Sequence, residues 1–123
     1  VGSAGNGEHA HLAEKKMTPY LEVLAGSRAG IRWNLPPDTR VRIGRSPKSS
    51  NIVVTGDPMV SKVHCILVYD GESGDFLLED CSSNGVFVGG KRLAKEQVHR
   101  YSQEVAFALA SQNCMIKAGV AYE

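Results

Sequence analysis

Residues 61–90 read SKVHCILVYDGESGDFLLEDCSSNGVFVGG. Two apolar runs, Val63–Tyr69 and Phe76–Glu79, flank Asp70-Gly71-Glu72-Ser73-Gly74. Turns select such residues, glycine for positive φ and Asp or Ser for bonds to their own backbone. A third run, Val86–Val88, follows Ser82-Ser83-Asn84-Gly85 and stops at Gly89-Gly90. Each run is too short for a helix, and all three are expected to be strands. Val63–Tyr69 is apolar at successive positions, the pattern of a strand covered on both faces.

The same rhythm continues on either side. Upstream, strands are expected at Tyr20–Ala25, Ile31–Leu35, Arg40–Gly44 and Asn51–Val54; downstream, at Val105–Leu109 and Cys114–Lys117. Gly26-Ser27, Pro36-Pro37-Asp38, Ser46-Pro47 and Gly56-Asp57-Pro58 separate the upstream runs. In Arg40–Gly44 the apolar Val41 and Ile43 alternate with Arg40 and Arg42, so one face is buried and one wet. Lys91–Tyr101 carries only a trace of helical spacing. Short strands recurring at roughly ten-residue intervals define a sandwich or barrel, and the chain is expected to be all-β.

At 123 residues, with 42% apolar side chains, the sequence holds one domain with a real core. Residues 1–18, rich in Gly, Ala, Lys, Glu and His, read as a flexible lead-in, and 19–123 as the folded domain. The formal net charge of +1 argues against coating nucleic acid or a membrane surface. Cys65, Cys81 and Cys114 form neither a CxxC pair nor a zinc spacing, so no metal or cofactor is expected. Their odd number suits a reduced, intracellular protein, nucleus or cytoplasm undistinguished; Cys65 and Cys114 lie in apolar runs and are expected to be buried. The sequence starts at Val without a secretory leader's pattern, and is expected to be a monomeric module of a larger protein.

Three polar clusters stand at strand ends. Gly44-Arg45-Ser46 offers a guanidinium, whose planar fork of donors matches a phosphate's oxygens. Ser61-Lys62-Val63-His64 leads into an apolar strand. Asp80-Cys81-Ser82-Ser83-Asn84-Gly85 is a turn whose hydroxyls, amide and backbone N–H groups can cup an anion. Singly, each is an ordinary turn. Together, in this order and followed by Val-Phe-Val-Gly-Gly, they resemble the signature of forkhead-associated (FHA) domains, from about Tyr20 to Leu93.

The resemblance implies an eleven-stranded β-sandwich with ligand-binding loops at one end, and a phosphothreonine-dependent interaction with segments of partner proteins. It makes Arg45 and Ser61 the phosphate ligands, Lys62 an added charge, Ser83 a neighbour of the phosphate, and Asn84 a partner of the peptide main chain. Gly44 and Gly85 would permit the loop geometry, and His64 would brace the loops from within. Met59 falls in the loop expected to select downstream peptide side chains, where an apolar residue disfavours acidic partners. The chain departs from the family pattern at Gly89-Gly90, usually Asn-Gly, and at His99–Gln103, where a Gly-Asp turn is usual. The competing reading is a phosphate-independent scaffold or oligomerisation sandwich.

Catalysis is not expected. His64 and Cys65 are adjacent on a strand and point to opposite faces. Asp70, Asp75, Glu79 and Asp80 read as solubilising turn and strand-edge charges. Arg40, Arg42, Lys91 and Arg92 read as solvent-facing strand charges without the aromatic platforms of a nucleic-acid binder.

Overall fold

A computed structural model describes residues 17–54 and 57–122. They form β1 (Met17–Ala25), β2 (Arg32–Asn34), β3 (Val41–Gly44), β4 (Ile52–Val53), β5 (Cys65–Asp70), β6 (Asp75–Asp80), β7 (Val86–Val88), β8 (Lys91–Arg92), β9 (Val98–Ser102), β10 (Val105–Leu109) and β11 (Ser111–Tyr122). These eleven strands make two sheets, ordered β2-β1-β11-β10-β7-β8 and β4-β3-β5-β6-β9. The expected all-β sandwich is what the chain adopts.

Period-two alternation fills the space between the sheets. Cys65, Leu67 and Tyr69 of β5 and Phe76 and Leu78 of β6 meet Leu21, Val23, Val105, Phe107, Ile116 and Ala118 of the other sheet in one core. Cys65 and Cys114 are buried in it, as expected, and Cys81 is exposed. Val41 and Ile43 point inward while Arg42 is exposed. Tyr69 and Phe76, paired across the β5–β6 hairpin, add a tilted ring contact at 5.0 Å between centroids.

Several local expectations need correction. The lead-in reading of residues 1–18 falls mostly outside the described residues, but Met17 and Thr18 belong to β1, where Met17 pairs with Tyr122. β11 runs twelve residues rather than four. Ala118, Gly119 and Ala121 blur its apolar pattern, and pairing with β1 from Met115 to Tyr122 holds it extended. Lys91–Tyr101 contains β8 and β9, not a helical turn. β9 is defined by its ladder to β6, Val98 opposite Glu79 through Ser102 opposite Asp75. Its own burial pattern is weak, and Val98 is 62% exposed. The outer face of β5 is not covered either: Ile66 and Val68 are half-buried beside Leu77 and Val98. The usual Gly-Asp turn is replaced by Ser102-Gln103-Glu104, with Gln103 at φ 72°.

Strand direction decides where the site forms. Cys65 opposite Asp80 marks one end of the β5–β6 hairpin, and Asp70 opposite Asp75 marks the other. Ile43 pairs with Cys65, so the chain leaving β3, entering β5 and leaving β6 meets at the first end. Phe107 sits at the centre of the core with no solvent exposure. Phe107→Ala is expected to cost about 3–5 kcal/mol of unfolding free energy in denaturant titrations, the usual penalty for emptying an aromatic core position.

Candidate functional site

The loop after β3 lies flat on the loop before β5. Arg45 N–H donates to Ser61 O at 3.0 Å, and Ser46 N–H to Lys62 O at 3.3 Å. Gly44 is required for this approach, since a Cβ there would run into the Lys62 carbonyl. The Ser50 hydroxyl donates to that same carbonyl. Arg45 Nε donates to Val60 O at 2.7 Å, which aims the side chain while leaving both terminal guanidinium nitrogens without a bond among the described residues.

The loop before β5 is tied in turn to the loop after β6. Ser83 N–H donates to Ser61 Oγ at 3.2 Å, and Asn84 Nδ2 donates to Met59 O at 2.8 Å. The Ser61 hydroxyl accepts in this arrangement and keeps its own proton to donate outward.

His64 joins these loops from below. It is fully buried; Nδ1 accepts from Ser61 N–H at 3.0 Å, and Nε2 lies 2.7 Å from Gly85 O. A carbonyl accepts only, so Nε2 carries the proton and the ring is neutral. Desolvation lowers the imidazole's pKa from 6.5, outweighing the Gly85 bond and the Asp80 charge, which act upward. Gly85 adopts φ +96°, a conformation that demands glycine, and the Arg92 guanidinium lies over the open side where a Cβ would stand.

All eight residues singled out in the sequence therefore meet at one rim: Gly44, Arg45, Ser61, Lys62, His64, Ser83, Asn84 and Gly85. Lys62 is exposed, and Met59 is 53% exposed beside them. Among the described residues, no carboxylate pairs with Arg45 or Lys62.

Two parts of the site escaped the sequence reading. Asp80, taken for a solubilising charge, is 1% exposed, and its Oδ1 accepts from Ser82 N–H at 2.8 Å and Ser82 Oγ–H at 2.6 Å. Ser82 Oγ then accepts Gly85 N–H at 2.7 Å, so an Asx turn shapes the third loop from inside. The Asp-x-Ser spacing was the available signal. Arg92 is exposed as expected, but Nη2 donates to Ser83 O at 3.1 Å, so it belongs to the rim. The cross-hairpin return through β7 and β8 that brings it there leaves no local sequence mark.

The FHA domain family matches residues 41–109, more than half of the chain, and the protein belongs to that family. A stretch of 63 residues is 33% identical to the meiosis-specific serine/threonine-protein kinase MEK1 of Saccharomyces cerevisiae, covering 48% of this chain. The match spans only 12% of that kinase's length. The FHA domain of CT664 from Chlamydia trachomatis superposes with a TM-score of 0.71 at 26% identity, over 83% of this chain and 96% of that one. The MEK1 FHA domain in complex with a phosphothreonine peptide of HOP1 gives a TM-score of 0.66 at 23% identity, over 83% and 95%.

A histidine whose pKa is lowered on folding destabilises the fold when protonated. Folding is unaffected by this group above the ordinary histidine value of 6.5, and loses stability as pH falls below it toward the folded-state pKa. Unfolding free energy measured by denaturant is expected to decline as pH falls below the ordinary histidine value. His64→Ala should lower stability by about 2–4 kcal/mol at neutral pH and flatten that decline.

Proposed function

We propose that this domain reads phosphothreonine: it binds phosphorylated segments of partner proteins and does no chemistry on them. The observation that carries this reading is the convergence of unpaired donors at the rim. Arg45 and Ser61 are partly exposed and Lys62 is exposed, on two loops stitched together by backbone bonds, and among the described residues neither the terminal nitrogens of Arg45 nor the Ser61 hydroxyl proton has an acceptor. A phosphomonoester carries about −1.5 to −2 charges at neutral pH and three strong acceptor oxygens, which suits that set. An unmodified threonine offers one neutral hydroxyl, too little to offset desolvating a guanidinium and an ammonium.

The phosphothreonine peptide held by the MEK1 FHA domain supports the same ligand here. Ser83 and Asn84 would flank the phosphoresidue, with Asn84 already turned toward the loop that carries Met59. The threonine methyl contributes up to about 0.8 kcal/mol over serine by burial, and ordering of the bound conformer must supply any larger preference.

No part of the rim is equipped as an acid–base catalyst. Both ring nitrogens of His64 are already hydrogen-bonded and buried. Desolvation together with Glu79 and Asp80 raises the Cys81 thiol above its ordinary range, away from a reactive thiolate. We read the chain as a monomeric, intracellular interaction module with no nucleic-acid partner.

Calorimetry with one threonine peptide in phosphorylated and plain form tests this reading. The phosphorylated form should bind and the plain form should not; equal affinities would establish the scaffold reading instead. Arg45→Ala should lose about 2–5 kcal/mol of phosphopeptide binding, the range for removing one member of a desolvated charge pair. Its melting temperature should fall only slightly, because the side chain's one internal bond is to Val60 O.

A further inference from the structure

Arg92 stands on β8, paired with Phe87 of β7. Its side chain crosses Gly85, where a Cβ would come within 2.7 Å of Nε, and its Nη2 reaches the Ser83 carbonyl. The N–H of that same Ser83 is held by Ser61 Oγ. Arg92 and Ser61 therefore grip opposite ends of one residue, which puts the guanidinium within about 10 Å of the Ser61 hydroxyl, since a residue spans at most about 3.6 Å. Two other exposed arginines have carboxylate partners: Arg32 meets Glu22 and Arg100 meets Asp75. Arg92 has none among the described residues, and one of its five donors is engaged.

Resting on the phosphothreonine reading above, we infer that Arg92 is a specificity-determining residue that takes a second anionic group, a carboxylate or a second phosphate, two residues from the phosphothreonine. In an extended peptide, alternate side chains share a face and stand about 7 Å apart, a spacing that falls inside the bound of about 10 Å between the Ser61 hydroxyl and the guanidinium. The planar fork explains the choice of arginine. One edge fastens Ser83, and the other is left to engage two oxygens side by side, which a lysine ammonium cannot do while holding the carbonyl. The positive rim of Arg45 and Lys62 thus extends sideways across Gly85, over a backbone position that admits no side chain.

Fluorescence anisotropy with three sets of peptides tests this: phosphothreonine with uncharged flanks, the same peptide with Asp two residues before or after, and the same with phosphoserine at those positions. In the wild-type domain, a second anion on one side should tighten binding about tenfold. Arg92→Ala should weaken the uncharged-flank peptide about threefold, through the released Ser83 carbonyl, and abolish the tenfold increment. Arg92→Lys should keep part of it. An increment in both the Asp and phosphoserine arms assigns a general anion site, and one confined to phosphoserine assigns a second phosphate; either supports the inference. An increment that survives in Arg92→Ala, or its absence from every arm, overturns it while leaving the phosphothreonine reading standing. Failure of the wild-type domain to bind any phosphothreonine peptide overturns both.

Discussion

One buried, uncharged imidazole holds the binding end together. His64 accepts a proton bond from Ser61 and donates one to Gly85, and so sets the spacing between the loop that offers a hydroxyl and the loop that offers an amide. The Ser61 bond does not survive protonation of Nδ1, because the charged ring would then point a donor at the Ser61 N–H, itself a donor. Burial keeps the ring neutral, so the hydrophobic core under the loops and the polar geometry on top of them depend on each other. The same histidine also accepts Cys81 N–H at its carbonyl, which anchors the start of the third loop.

From that constraint the rest of the rim follows. Gly44 lets the first loop lie against the second, and Gly85 lets the third loop turn beneath Arg92. The Asp80–Ser82–Gly85 chain of bonds closes the third loop on itself. Little conformational entropy then remains to be lost when a ligand arrives, the general advantage of a site built before its ligand binds. Among the described residues, the cations have no carboxylate partners at the same place, in a chain whose overall charge is nearly balanced. That separation of charge makes an anion the natural guest.

The residues proposed to face a ligand were legible because they are small or polar, sit at strand ends, and have no role in an alternating apolar pattern. Arg45, Ser61, Ser83 and Asn84 have no core position to fill, so their placement marks the loops. The core strands were legible for the opposite reason, Val41 and Ile43 being the clearest case. What remained hidden depends on partners distant in sequence. β9 exists through its ladder with β6, and β11 is lengthened past the alternation of Cys114 and Ile116 by its pairing with β1. Asp80 looked like a surface charge because local composition does not report burial, although it closes the very turn that was recognised. Arg92 reads like any strand-edge cation until the β7–β8 return is traced back over Gly85. The half-exposed outer face of β5 shows that a continuous apolar run does not guarantee cover on both sides.

The central claim is that the loops form one preassembled receptor for a phosphate, and a structure of the domain with a phosphothreonine peptide bound tests it most directly. The account requires the phosphate oxygens within hydrogen-bonding distance of the Arg45 guanidinium and the Ser61 hydroxyl, with the His64 bonds to Ser61 and Gly85 unchanged. A phosphate seated elsewhere, or a peptide that binds only after those His64 bonds have broken, would contradict it.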